Sequence, residues 1–138
     1  MALVPFDDRD GVIWLDGTMV PWRDAKLHVL SHGLHYASGV FEGERAYSGN
    51  VFKLRAHTER LINSARILGF ELPWTAEQID QACRDVLTAN GLTEAYVRPI
   101  AWRGSSRSQK PTRPTWCSTT RLSVISRAPS RSIPRSTG

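Results

Sequence analysis

Apolar and polar positions along the chain fall into short, well-punctuated runs. Val12-Ile13-Trp14-Leu15 and Thr18-Met19-Val20 flank Asp16-Gly17. An Asp-Gly pair between two such runs predicts a hairpin, because a type I′ turn needs positive φ at both central residues. Pro21 cannot donate to a ladder and ends the second strand. A second hairpin is predicted from Gly39-Val40-Phe41 through Arg45-Ala46-Tyr47, across Ser48-Gly49-Asn50 and into Val51-Phe52-Lys53-Leu54. Gly43 inside it suggests a bulge, or a point where something approaches the backbone closely.

The period then changes to that of a helix. From about Ala56 to Leu68, Leu61, Ile62, Ala65 and Leu68 recur at helical spacing, and Gly69 closes the segment. Thr75-Ala76-Glu77-Gln78 reads as a capping box, followed by the stripe Ile79, Ala82, Cys83, Val86 and Leu87. Asn90-Gly91 ends that helix. Ala95–Trp102 reads as a strand that Pro99 places at an edge or a bulge. The expected fold class is α+β, a small antiparallel sheet with two packed helices. It would occupy residues 1–105 as one domain. From Ser106 to Gly138 only seven residues of 33 are apolar, and neither period survives. This Ser/Arg/Pro/Thr-rich tail is expected to be disordered, because it buries too little apolar area to offset its ordering entropy.

Charge divides the chain at the same place. Of 18 Lys and Arg, seven lie in 106–138, which holds no acid, while residues 1–105 carry 11 basic and 13 acidic side chains. The basic balance belongs to the tail, and the body has no nucleic-acid footprint. No apolar run is long enough to cross a bilayer, and MALVPFDDRDG lacks a basic-then-apolar leader. Cys83 and Cys117 form no CxxC pattern and read as free thiols. The expected location is the cytoplasm.

Taken singly, the candidate chemical residues are modest. His28, His32 and His35 stand at i, i+4, i+7, a spacing that would serve zinc on one helical face. No HExxH accompanies them, and Ser31, His32 and Gly33 break a stable helix, so hydrogen-bonding histidines and no metal site are expected. Arg60 suits bidentate capture of a phosphate, yet alone reads as a solvated arginine. Arg98 sits in an otherwise apolar strand and must find a carboxylate, a phosphate or water. Tyr36, Phe41 and Tyr96 could wall a pocket or fill a core.

The run Val29-Leu30-Ser31-His32-Gly33-Leu34-His35-Tyr36-Ala37-Ser38-Gly39-Val40-Phe41-Glu42-Gly43-Glu44-Arg45-Ala46-Tyr47 resembles the signature of branched-chain amino acid aminotransferases, which are fold-type IV pyridoxal-phosphate enzymes. The likeness continues through Val51–Leu54, His57–Leu61, Ala82–Val86 and Tyr96–Pro99, spanning about residues 11–104 in matching order. It implies that Arg60 binds the phosphate of pyridoxal 5′-phosphate. It implies that Tyr36, Phe41 and Gly43 line the pocket for a branched aliphatic side chain, Gly43 being small because substrate packs there. It implies that Tyr96 and Arg98 face the substrate, Arg98 pairing with the distal carboxylate of glutamate or 2-oxoglutarate, and that Arg45 supports this wall from behind. The family reaction is amino exchange between Leu, Ile or Val and 2-oxoglutarate, and full-length members are expected to be homo-oligomers.

Transamination needs a lysine that forms the imine and carries the proton. Of Lys26, Lys53 and Lys110, none resembles the family's lysine, which lies in a second domain. The chain is therefore expected to have no catalytic residue of its own, to hold pyridoxal phosphate poorly and to be inactive alone. The alternative reading is a binding module whose tail, with Ser-Arg at 106–107, 126–127 and 130–131, neutralises nucleic-acid phosphates non-specifically. The abrupt change near residue 105 resembles out-of-frame translation of GC-rich DNA. Resequencing the coding DNA across that junction is expected to reveal a frame shift, and an intact frame would refute it.

Overall fold

The computed structural model describes residues 4–104 and 120–128. The first hairpin forms as predicted from β1 (Val12–Leu15) and β2 (Thr18–Pro21), with Asp16 and Gly17 at φ 50° and 98°. A 3-10 turn, Trp22–Asp24, follows. The second hairpin is built from β3 (Gly39–Phe41), β4 (Glu44–Tyr47) and β5 (Asn50–Val51). It is tighter than expected: Ser48 and Gly49 make the turn at φ 48° and 79°, and Asn50 already belongs to the strand. Lys53, at φ 50°, then swings the chain into α2 (Leu54–Ile67), so the helix starts two residues before the sequence suggests. α3 (Ala76–Ala89) opens on the capping box, with the Thr75 hydroxyl accepting from the Gln78 N–H and the Gln78 side chain accepting from the Thr75 N–H.

Three expectations are corrected. Of Ser31, His32 and Gly33 only Ser31 interrupts a helix: it is extended and keeps His28 off the short α1 (His32–Tyr36), which His32 and Gly33 open and which ends where Ala37 turns left-handed at φ 53°. Pro99 lies neither at an edge nor at a bulge. Its strand, β6 (Ala95–Arg103), is central, with β7 (Thr120–Arg127) on one side and β3 and β4 on the other. Pro99 is tolerated because its missing N–H faces the gap between β3 and β4, where its carbonyl accepts from the Glu42 N–H at 3.0 Å. The third correction is β7 itself, a buried strand within the supposed disordered tail. The tail's remaining residues, 106–119 and 129–138, lie outside the described ones.

Among the described residues the sheet has seven strands in the order β2-β1-β7-β6-β4-β5, with β3 also on β6. One face packs under α2 and α3. Ala46, Ala95, Val97, Ala101, Leu122 and Val124 from the strands meet Leu61, Ala65, Ile79, Cys83 and Val86 from the helices. Trp14 joins this core edge-on to Trp74. Between the helices, the buried Thr58 hydroxyl donates to Asp80 at 2.6 Å. Asn90, just past α3, donates to the carbonyls of Val12 and Val86 and to Ser126, and accepts from the Val12 N–H, tying three elements together.

One core group does not fit the apolar pattern. Glu44 is 1% exposed on the helix-covered face, and neither carboxyl oxygen has a hydrogen-bond partner. Burial, reinforced by the nearby charges of Glu42 and Asp80, pushes its pKa up to about 8. In the unfolded chain it ionises near 4.5, so between those values the unfolded state binds fewer protons than the folded one. Unfolding free energy should thus fall as pH rises from 4.5 to about 8, with a slope approaching about 1.4 kcal/mol per pH unit from this group. Glu44→Gln is expected to flatten that slope in urea unfolding measured across the range, and an unchanged slope would show that Glu44 is ionised in the fold.

Candidate functional site

Alternation along β6 turns Tyr96, Arg98 and Ile100 to the face that α2 and α3 leave open, and register places Phe41 opposite Ile100 and Arg45 opposite Tyr96 on the same side. The Arg98 guanidinium lies over the Phe41 ring at 4.5 Å and the Tyr96 ring at 5.4 Å, and donates to the Tyr96 hydroxyl from Nη2 at 2.9 Å. Gly43 belongs to this group as well. A Cβ there would stand 2.6 Å from the Tyr96 hydroxyl, so the missing side chain makes room for that phenol. Arg45 sits over Tyr47 and donates to Glu94 at 3.4 Å.

Beside this group opens a cavity of about 890 Å³, with Ile13, Tyr96 and Ile125 contributed by the sheet and Phe6 and Trp22 by the segments before and after the first hairpin. Arg98, Arg127 and Lys26 also line it. Arg23, another lining residue, is tied to Asp8 and Asp10 at 2.6 and 2.9 Å. Arg127 lies over Phe6 and Tyr96. An apolar floor rimmed by arginines suits an anion with an apolar body, such as a carboxylate on an aliphatic chain. Sequence reasoning missed Lys26, Trp22 and Arg127, because only register with β7 brings them beside Tyr96 and Arg98.

Two expected site residues lie elsewhere. Tyr36 is 71% exposed on α1, its ring 4.6 Å from His32 and 6.3 Å from His35. The three histidines serve local hydrogen bonds: His28 Nδ1 accepts from the Leu30 N–H, His32 contacts Ser38 at 2.6 Å and His35 contacts the Val29 carbonyl at 2.7 Å. Among the described residues no group of three His, Cys, Asp or Glu could hold a metal ion. Arg60, on α2, reaches the helix-covered side of the sheet. Its Nε and Nη2 donate to the two oxygens of Glu42 at 2.7 and 2.6 Å. Hydrogen bonds from Arg60 hold the Glu42 carboxyl below its usual range. Sequence reasoning overlooked Glu42, although its place between Phe41 and Gly43 puts it on the opposite face from both.

A profile of amino-transferase class IV matches residues 39–136. The branched-chain-amino-acid aminotransferase of Pseudomonas aeruginosa is 50% identical over 102 residues, covering 71% of this chain and 33% of that one. The Escherichia coli branched-chain amino acid aminotransferase structure superposes with TM-score 0.76 at 38% identity, covering 87% of this chain and 40% of that one. The branched-chain amino acid aminotransferase of T.th., solved with pyridoxamine 5′-phosphate, gives TM-score 0.76 at 36% identity, covering 90% and 42%. The chain thus spans about a third of the length of the curated relatives it matches.

A phosphate of the kind that last structure's cofactor carries could be met by Arg60. Arg60 Nη1 is outside the bonds to Glu42 and the side chain is 63% exposed, so it can donate to a phosphate oxygen. Of the described lysines, Lys26 lines the open-face cavity and Lys53 lies over Phe52. The Gly43–Tyr96 contact yields a direct check. Gly43→Ala should cost about 1–3 kcal/mol of stability by displacing the phenol, and adding Tyr96→Phe should restore most of it. Additive losses in the double-mutant unfolding cycle would show the two positions to be uncoupled.

Proposed function

The chain belongs to the amino-transferase class IV family, and we propose that it forms the substrate-receiving part of a branched-chain amino acid aminotransferase. In this reading the open-face cavity takes the aliphatic side chain of leucine, isoleucine or valine. Arg98 takes the distal carboxylate when glutamate or 2-oxoglutarate occupies the same place, and Arg60 meets the phosphate of pyridoxal 5′-phosphate. The observation that carries the reading is Arg98 laid across Phe41 and Tyr96 at the rim of an apolar cavity. One pocket that accepts both leucine and glutamate needs apolar walls and a cation that can be reached without being buried bare. Stacking on two rings supplies that. Phe41 and Gly43 act through Arg98 and Tyr96, and Arg45 through its neighbour Tyr96. Tyr36 stays exposed and would serve substrate only once further protein closes over α1.

The bound cofactor would supply the electron sink for amino transfer. The chain's own contribution is to bind and orient, with the imine-forming amine coming from protein outside it. The nucleic-acid reading gains no support, since two cations it relied on are engaged in the fold: Arg121 with Asp16, and Arg127 with Phe6 and Tyr96.

The test is a chimera in which residues 1–104 replace the corresponding part of the Pseudomonas aeruginosa relative. With pyridoxal phosphate it is expected to form glutamate from leucine and 2-oxoglutarate, while the 138-residue chain alone forms none. In the chimera, Arg98→Ala should raise KM for 2-oxoglutarate about 10- to 100-fold, from loss of a charge-assisted hydrogen bond, and change KM for leucine far less. Turnover by the chain alone, or equal losses for both substrates, would overturn the assignment.

A further inference from the structure

We propose that Glu42 is a positioning residue for an anion-binding arginine, fixing the Arg60 guanidinium so that its Nη1 edge faces a phosphate monoester. This rests on the reading of Arg60 as the phosphate contact of this chain. Glu42 is 6% exposed, and its backbone N–H is held by the Pro99 carbonyl of the central strand at 3.0 Å. The carboxylate is therefore placed by the sheet and not by the helix it grips. Its Oε1 accepts from Arg60 Nε at 2.7 Å, and its Oε2 accepts from Arg60 Nη2 at 2.6 Å.

His57, one turn earlier on α2, completes the arrangement. Its Nδ1 lies 2.9 Å from Glu42 Oε2 and 3.1 Å from Arg60 Nη2. A guanidinium is planar and rigid, so gripping the Nε–Nη2 edge fixes where the Nη1 donors point. An ungripped arginine on an exposed helix samples many rotamers and loses that freedom on binding. Glu42 removes this cost in advance. The pair carries no net charge, so its hold on an anion comes from directed N–H groups and not from a general positive field. The neighbouring Arg55 adds little field either, being tied to Glu77 and Asp80 at 2.8 and 3.0 Å.

The experiment is a titration of the full chain with inorganic phosphate and with phenyl phosphate, followed at the Arg60 Nε–H by nitrogen-proton NMR. In the parent chain that signal is expected to be sharp, separated from those of solvated arginines, and to move on adding either phosphate. Glu42→Ala should merge it with the solvated arginines and weaken phosphate affinity about tenfold or more, the loss of an oriented charge-assisted contact. Glu42→Gln, which preserves volume and one acceptor, should retain a sharp signal and an intermediate affinity, and it serves if the alanine variant does not fold. Phosphate affinity within about twofold of the parent in both variants, or an Arg60 signal indifferent to phosphate, would overturn the proposal. Should the signal behave as expected while the chimera fails to transaminate, the aminotransferase reading falls and the positioning role stands.

Discussion

The ladder between β6 and β7 organises everything else. Eight residue pairs run without interruption from Tyr96↔Arg127 to Arg103↔Thr120. β7 is also the strand that takes up the first hairpin, through Trp14↔Val124 and Leu15↔Ser123. A two-stranded hairpin is marginal by itself in water, so β1 and β2 owe their place in the sheet to this neighbour. Asp16 reinforces the seam by serving two purposes. It adopts the left-handed conformation the hairpin turn needs, and its carboxylate accepts from the Leu122 N–H at 3.0 Å and from Arg121. The same strand feeds both faces, because alternation sends Leu122 and Val124 into the helix-covered core and Ile125 and Arg127 into the cavity.

Alternation also explains why residues 41–45 hold groups of such different fate. Phe41, Gly43 and Arg45 turn to the open face, and Glu42 and Glu44 turn under the helices. Both side chains are covered, but Glu44 lies deeper, and their partners differ as well. Glu42 meets Arg60 and His57 and remains charged, whereas Glu44 meets only like charges and the Cys83 thiol and stays protonated to about 8. Removing a charge from water is costly unless a partner compensates. The Cys83 thiol is itself pushed well up, by burial first and then by the Glu44 carboxyl.

How far the sequence made this legible follows from the range of the forces involved. The Asp16-Gly17 turn, the Thr75–Gln78 capping box and the stripe from Ile79 to Leu87 depend on neighbours within a few residues, and all three form where their patterns lie. β7 was not legible. Leu122-Ser123-Val124-Ile125-Ser126 is short and half polar, and its burial depends on partners far away in sequence, such as Asn90 receiving Ser126. Pro99 misled for a related reason. A proline in a central strand is acceptable only when the opposite chain has a gap at that point, and the gap at Glu42–Gly43 is a property of the pairing. On the open face, Arg98 announced itself as a charge in an otherwise apolar strand, whereas Tyr96 could as well have filled a core. The use of Gly43 as room for a phenol did not announce itself, because that contact crosses between strands.

Arg98 and Arg60 are thereby kept apart by the backbone itself. Arg98 lies on the open face and Arg60 on the covered one, with Phe41, Glu42 and Gly43 as the partition between them. Among the described residues β3 pairs with β6 alone, so its outer edge is free. A ligand that touched Arg60 with its phosphate and the Arg98 group with its other end would have to pass around that edge. Nothing described in this chain closes over such a ligand from outside. The free edge of β3 leaves room for further protein on that side, beside a chain that spans about a third of the length of the curated relatives it matches.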